Sequence, residues 1–512
     1  MEHAIRQCLI ALKLSERLEM TESERVVVYY AGLLAWVGCH SDAYEQAKWF
    51  GDDIQIKADM AFRFDQAKRS TMASFMVKYL GGSGRPLVSR ARIGLAFFGQ
   101  GLRDLNNLAE NHYFATDELA VHLGLGEDVR DSLRESYERW DGSGWIGTKG
   151  EEIRLASRLV NLADVVEVFQ RSAGVPAAIA VARERSGTQF DPALVDLFCD
   201  EAEGVFASLP EDSTWEAVIA AAPELGLTLS EGEFDAALEA IADFTDLKSP
   251  WTIGHSRAVA QLATEAGGHY GLPPGETSLL KRAALVHDIG RLGVSNAVWD
   301  KRGPLSRPEM ERVRLHPYLT ERMLSFSPAL APLGAIAVQH HERLDGSGYP
   351  RGLKAAAMTA QGRILAAADA YQTMVEMRPH RPARSREEAA VQLRAEVAAG
   401  RIDGDAANAL LRAAGHRVSP RREWPAGLTP REVEVLQLLV RGLTNKEIAD
   451  NLIISRKTAG NHVEHIYGKI GVSNRARASL FAIKHGIMSE PAPLSASRSY
   501  RSARGKDEAN AP

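Results

Sequence analysis

Cysteine is scarce in this 512-residue chain: only Cys8, Cys39 and Cys199, widely spaced and in no CxxC pair. An odd, unpaired set in a long chain argues against a disulfide framework or a zinc ribbon and points to a reducing cytoplasm. Long apolar runs are also missing. No stretch approaches the ~20 residues needed to cross a bilayer, so no membrane partner is expected. The opening MEHAIRQCLIALKLSERLEM carries charges throughout, unlike a secretory leader. Runs of Val, Ile, Thr and aromatics with period two hardly occur, which argues against sheet. No one charge dominates either. With 61 basic and 66 acidic residues the formal net charge is −5, which excludes a chain basic all over but not one basic module. What is present is ordinary for a globular protein, 45% hydrophobic and 25% charged. At roughly 150 residues per domain, the length suggests three domains.

Helical patterns fill the chain, as in VVVYYAGLLAWVG and EEAAVQLRAEVAAG, so the expected fold class is all-α. The chain also repeats itself. YERWDGSGW at 137–145 parallels HERLDGSGY at 341–349. RLVNLAD at 158–164 parallels RILAAAD at 363–369, and LLAWVG at 33–38 parallels LVHDIG at 285–290. Counting back 35 positions from Gly38 and from Gly290 reaches His3 and His255. His112 precedes Ser136 by 24 residues, as His316 precedes His340. An ordered series of this kind predicts two copies of one helical unit, 1–200 and 244–418, joined by a helical connector over 201–243.

The second copy concentrates metal-ligand chemistry. His255, His287, Asp288, His316, His340, His341 and Asp369 come from separate helical segments and include two adjacent doublets. Five imidazoles and two carboxylates can fill a two-metal site, because a carboxylate can bridge two ions through its two oxygens. Imidazole with carboxylate suits iron, manganese or zinc. The series HDIGRLG, LHP, HHERLDGSGYP, ADAYQTM and RPHR resembles the HD-GYP domain, a branch of the HD metal-dependent phosphohydrolases, over essentially all of 244–418. The resemblance implies a helical bundle with two divalent metals, iron or manganese, that hydrolyses cyclic di-GMP. It makes the seven residues above the metal ligands, with Asp288 bridging and holding the attacking hydroxide. It places Gly348, Tyr349 and Pro350 in a loop beside the metals and the base, and Arg378 and Arg381 on phosphates. Two departures stand out. The residue after HDIG is Arg291 where the family usually has Lys, which keeps the charge and alters the geometry at a catalytic position. Where some members carry a Glu for a third metal, this chain has Trp251, so two metals are expected.

In the first copy the doublets read Ala35-Trp36 and Ser136-Tyr137, and GYP becomes Gly144-Trp145-Ile146. Only His3, His112 and Asp164 remain of the seven ligands. This is a degenerate copy, expected to pack or dimerise rather than to bind metals, with Trp36, Trp140 and Trp145 as core or pocket residues.

Residues 427–488 form a third module. Thr429, Pro430 and Glu432 make a helix start, Thr444 and Glu447 repeat it, and Ser455 should cap a longer helix that stops at Gly471. Short capped helices in this order fit a helix-turn-helix. LTPREVEVL, GLTNKEIA and ISRKTAGNHVEHIYGKIGVSNRARA resemble the LuxR-type DNA-binding domain. That resemblance implies four helices, double-stranded DNA as partner and a homodimer on a palindromic site. Lys457 and Thr458 would meet phosphate at a helix N-terminus; Gly460, Asn461, Glu464 and His465 would face the bases. The charge divides accordingly: 46 basic against 57 acidic residues over 1–420, and 15 against 9 over 421–512. The tail 489–512 is expected to be disordered. The whole reads as a cytoplasmic phosphodiesterase coupled to a transcription regulator. The alternative is a ligand-gated regulator whose nucleotide site hardly turns over.

Overall fold

The computed structural model describes residues 2–63, 69–82, 86–101, 108–210, 214–223, 229–418, 424–452 and 454–487; the tail expectation falls outside them. The described residues are helical, with isolated bridges such as Asp345–Lys354 but no sheet. No helix among them is long and apolar enough to cross a membrane. The three thiols are free. The chain divides into two compact units, Met1–Val418 and Ser419–Pro512.

The larger unit contains two bundle cores. The first is built by the helices Glu2–Arg17, Glu22–Leu34, Leu155–Ala173 and Pro192–Ala207, which bury Ile10, Leu14, Leu159, Leu162 and Phe198. The second is built by His255–Tyr270, Pro274–Leu285, Ala360–Val375 and Gly404–Ala413, which bury Val259, Leu280, Leu365 and Leu410. Full burial of each such side chain contributes about 1.5–3 kcal/mol. Helix starts follow the local chemistry. Thr21 with Glu24, Ser230 with Glu233 and Ser385 with Glu388 are reciprocal capping boxes. The connector belongs to both bundles. Val218 is buried in the first core, where Tyr29 Oη donates to its carbonyl at 3.0 Å, whereas Leu238 and Ala242 of the helix Glu231–Asp246 lie in the second. Trp215 donates its indole N–H to Phe326 O at 3.2 Å.

The two copies share their tightest turn. A Cβ on Gly290 would lie 2.6 Å from Thr320 N and closer still to His316 O. A Cβ on Gly38 would lie 2.6 Å from Thr116 Oγ1 and closer still to His112 O. Both glycine amides donate to the facing threonine hydroxyl at 3.0 Å. Only glycine lets the turn approach the neighbouring helix so closely.

The smaller unit has helices Pro430–Val440, Asn445–Leu452, Arg456–Ile470 and Arg475–Lys484 around Val435, Leu436, Ile448, Val463 and Ile466. Thr429 with Glu432 and Thr444 with Glu447 form the expected caps. Ser455 Oγ accepts from Thr458 N at 3.0 Å, and Gly471 stops the helix at φ 66°.

Candidate metal centre and DNA-facing helix

All seven expected ligands of the second copy converge. His255 opens its helix after Gly254, His287 and Asp288 follow Pro274–Leu285, and His316 opens His316–Leu324. His340 and His341 lie just beyond Ala331–Ala337, and Asp369 sits within Ala360–Val375. Apart from His341, all are at most 6% exposed at the side chain.

A repeated local device aims the rings. His287, His316 and His340 each donate Nδ1–H to the carbonyl three residues back, Ala284, Val313 and Ala337, at 2.6–2.7 Å. With that proton on Nδ1, each Nε2 presents a lone pair to the centre. His316 Nε2 and His340 Nε2 stand 3.0 Å apart. His287 Nε2 is buried with no hydrogen-bond partner. These are the marks of a site built for cations. Burial, with the neighbouring imidazoles, pushes His340 down to about 3 and His341 well below the usual range, so both rings are neutral donors. Asp288 spans the centre. Its Oδ1 lies 3.4 Å from His316 Nε2 and 3.6 Å from His340 Nε2, while its Oδ2 faces His287 and His255 at 3.7 and 3.8 Å. Asp369 is similarly divided, with Oδ1 3.5 Å from His255 Nε2 and Oδ2 3.5 Å from His341 Nδ1. Burial opposes the charge on both carboxylates, but the surrounding imidazoles, with the Arg291 guanidinium beside Asp288 and the His255 hydrogen bond at Asp369, hold both well below the usual range.

Arg291 lies beside the centre, its Nη1 3.0 Å from Asp288 Oδ2 and its guanidinium 4.2 Å from the Trp299 ring centre. Tyr349 packs on His341 with ring centres 4.7 Å apart and donates its backbone N–H to His341 O. Pro350 follows through a cis peptide. A Cβ on Gly348 would meet Arg343 N at 2.4 Å, so glycine is required where the loop crosses the doublet.

The guanidinium groups of Arg378 and Arg381 make hydrogen bonds within the protein. Arg378 donates to Glu376 Oε2 at 2.7 Å and to Trp251 O, behind His255. Arg381 donates to the carbonyls of Thr373, Met374 and Glu376, capping the end of Ala360–Val375. Sequence reasoning missed Glu376, whose Oε2 accepts from His255 Nδ1 at 2.8 Å and turns that ring's Nε2 inward. Its one sequence signal is its place seven residues, two helical turns, after Asp369.

Among the described residues, the first copy has no such convergence. His3 donates to Asp164 at 2.8 Å and to Glu167 through its other nitrogen. Burial disfavours its charge, but the two carboxylates raise it to about 9, so a proton sits where the second copy gathers ligands. His112 pairs with Asp42 on one nitrogen and Cys39 Sγ, at 3.7 Å, on the other. Asp42, Cys39 and Glu167 were not singled out from the sequence. Trp36 stacks edge-on against Tyr137, Trp140 lies under Arg158, and Trp145 donates to Arg134 O.

In the smaller unit, Lys457, Thr458, Asn461, Glu464 and His465 are exposed on Arg456–Ile470; Gly460 is half-buried, facing Asn445. The Thr458 hydroxyl is 2.8 Å from Ser455 Oγ.

Comparison with known proteins matches residues 239–406 to the HD domain and 426–482 to the bacterial regulatory proteins of the luxR family. The 3'3'-cGAMP-specific phosphodiesterase 3 of Vibrio cholerae is 31% identical over 387 residues, 75% of this chain and 84% of that one. The 3'3'-cGAMP-specific phosphodiesterase 1 of the same organism is 36% identical over 172 residues, 34% of this chain and 40% of its own. A cyclic di-GMP phosphodiesterase of Thermotoga maritima is 36% identical over 154 residues, 30% of this chain and 41% of its own. Among solved structures, a cyclic GMP-AMP specific phosphodiesterase of V. cholerae superposes with a TM-score of 0.55 at 27% identity, over 81% of this chain and 93% of that one.

Proposed function

The chain belongs to the HD-GYP family of metal-dependent cyclic-nucleotide phosphodiesterases, with a LuxR-type DNA-binding domain appended, and we propose that its second copy opens a cyclic dinucleotide to the linear form. The observation that carries this reading is the division of Asp288, one oxygen toward His316 and His340 and the other toward His255 and His287. In this reading His255, His287 and Asp369 would hold one divalent ion and His316, His340 and His341 a second, with Asp288 available to both. Iron or manganese suits the donor set. Such a pair of ions supplies an acidified water and neutralises charge on the phosphoryl oxygens. The chain supplies the rest. The three Nδ1-to-carbonyl bonds and the Glu376 carboxylate fix the donor rings. Arg291, tied to Asp288, offers a fixed cation to a phosphate oxygen on the open side. Tyr349, with Gly348 and Pro350, forms a wall beside His341 for a base. Cyclic di-GMP and 3'3'-cGAMP are the candidate substrates, being the compounds named for the relatives.

The domain plan proposed with it is a degenerate copy over 1–200, a connector over 201–243, the catalytic copy over 244–418 and the DNA-binding module over 427–488. That module acts as a homodimer in the cytoplasm, with Lys457 and Thr458 toward phosphate and Asn461, Glu464 and His465 toward bases. The functional test is turnover of both dinucleotides by the metal-loaded full chain, with products separated by chromatography. Release of a linear dinucleotide is expected, and its absence with either metal overturns the reading. Loss of hydrolysis in Asp288→Ala with nucleotide-dependent DNA binding intact assigns the switch to occupancy rather than turnover.

A further inference from the structure

We propose that Asp53, a residue of the hollow first copy, is a positioning residue for the hydrolysis carried out by the second; the inference rests on the functional reading above. Asp53 opens the helix Asp53–Arg63 and is fully buried. Its partners among the described residues belong to the other copy. Oδ1 accepts from Ser295 Oγ at 2.7 Å and from the Asn296 backbone N–H at 2.8 Å. Oδ2 lies 3.4 Å from the ammonium of Lys248, itself 5% exposed.

A buried carboxylate at a junction is costly unless its hydrogen bonds are well made, and hydrogen bonds are directional where apolar packing is not. Asp53 therefore fixes position as well as contact. It governs two segments that reach the metal centre. The first is the short helix Asn296–Trp299, whose start Asp53 caps from outside. Trp299, at its end, lies 4.2 Å from the Arg291 guanidinium and packs edge-on against His316 with ring centres 5.3 Å apart. Arg291 in turn holds Asp288 at 3.0 Å. The second segment begins at Lys248 and leads to His255. Asn296 Nδ2 donates to Lys248 O at 2.5 Å and to Asp300 at 2.9 Å, and Ser249 Oγ donates to Asp300 at 2.8 Å, so both segments close on one another around the carboxylate. The degenerate copy thus contributes no ligand to the centre, yet one of its side chains sets where Trp299, and through it Arg291 and His316, can stand.

The test uses the full metal-loaded chain with Asp53→Ala and the isosteric Asp53→Asn, which keeps an acceptor for Ser295 and Asn296. Substrate turnover, metal content and the 19F resonance of Trp299 in 5-fluorotryptophan-labelled protein, assigned with Trp299→Phe, are measured on each. Asp53→Ala is expected to shift that resonance and lower kcat at least tenfold, with KM changed less than threefold and metal content unchanged. Asp53→Asn is expected to recover most of both. The proposal is overturned if Asp53→Ala leaves the resonance in place, if kcat stays within twofold of the parent, or if activity falls only in proportion to lost metal. If Asp53→Ala does not fold, Asp53→Asn decides: a kcat below a tenth of the parent's with the resonance unmoved also overturns it. An inactive parent protein would instead defeat the functional reading itself.

Discussion

His255 differs from the other rings of the centre in what orients it. His287, His316 and His340 use backbone carbonyls three residues back, which no substitution removes, whereas His255 relies on the Glu376 carboxylate. Glu376→Gln keeps the shape and weakens the acceptor. It should lower metal affinity roughly 10–100-fold, as loss of such outer partners does, measured by competition with a chelator. In the first copy His3 shows what remains when the ligands go. Its folded pKa of about 9 stands above the ordinary 6.5, so its stabilising contribution is complete below pH 6.5 and fades as pH rises through about 9. His3→Gln should flatten the decline in thermal midpoint between those pH values. At this scale all seven metal-ligand candidates were legible from the order of His and Asp alone. Glu376, Asp42 and Glu167 were not, because a carboxylate that orients a histidine carries no fixed spacing, and neither were the internal partners of Arg378 and Arg381, because only the fold shows where a guanidinium places its donors.

Among the elements, the HDIG turn is the most constrained. Gly290 lets it press against His316–Leu324 so that the His287 carbonyl accepts from Thr320 Oγ1 at 2.8 Å. Gly290→Ala forces the two apart, with an overpacking cost of about 1–3 kcal/mol read in denaturant unfolding, and a further fall in turnover as Asp288 leaves its facing rings. The first copy keeps the same close approach at Gly38 although the doublet before it reads Ala35-Trp36, so this glycine answers to packing rather than chemistry. The helix starts at Thr429 with Glu432 and at Thr444 with Glu447 were legible, since both partners are local. The start of the second bundle was not. Leu238 and Ala242 are buried in its core, earlier than the ligand-defined boundary at 244, because a connector helix and a core helix share one amphipathic pattern.

On the scale of the whole molecule, a repeat has been put to unequal use. One copy brings seven candidate ligands together, whereas in the other surviving counterparts are taken up in internal pairs, such as His3 with Asp164 and Glu167. The opposite signs of charge over 1–420 and 421–512 place the basic excess on the segment that carries the DNA-binding module. The most direct measurement titrates the metal-free full chain with manganese and follows cyclic dinucleotide cleavage at each step. Turnover should rise to about two equivalents per chain, stay flat beyond them, and vanish in Asp288→Ala. Saturation at one equivalent, or cleavage that survives in Asp288→Ala, would contradict a two-metal centre confined to the second copy.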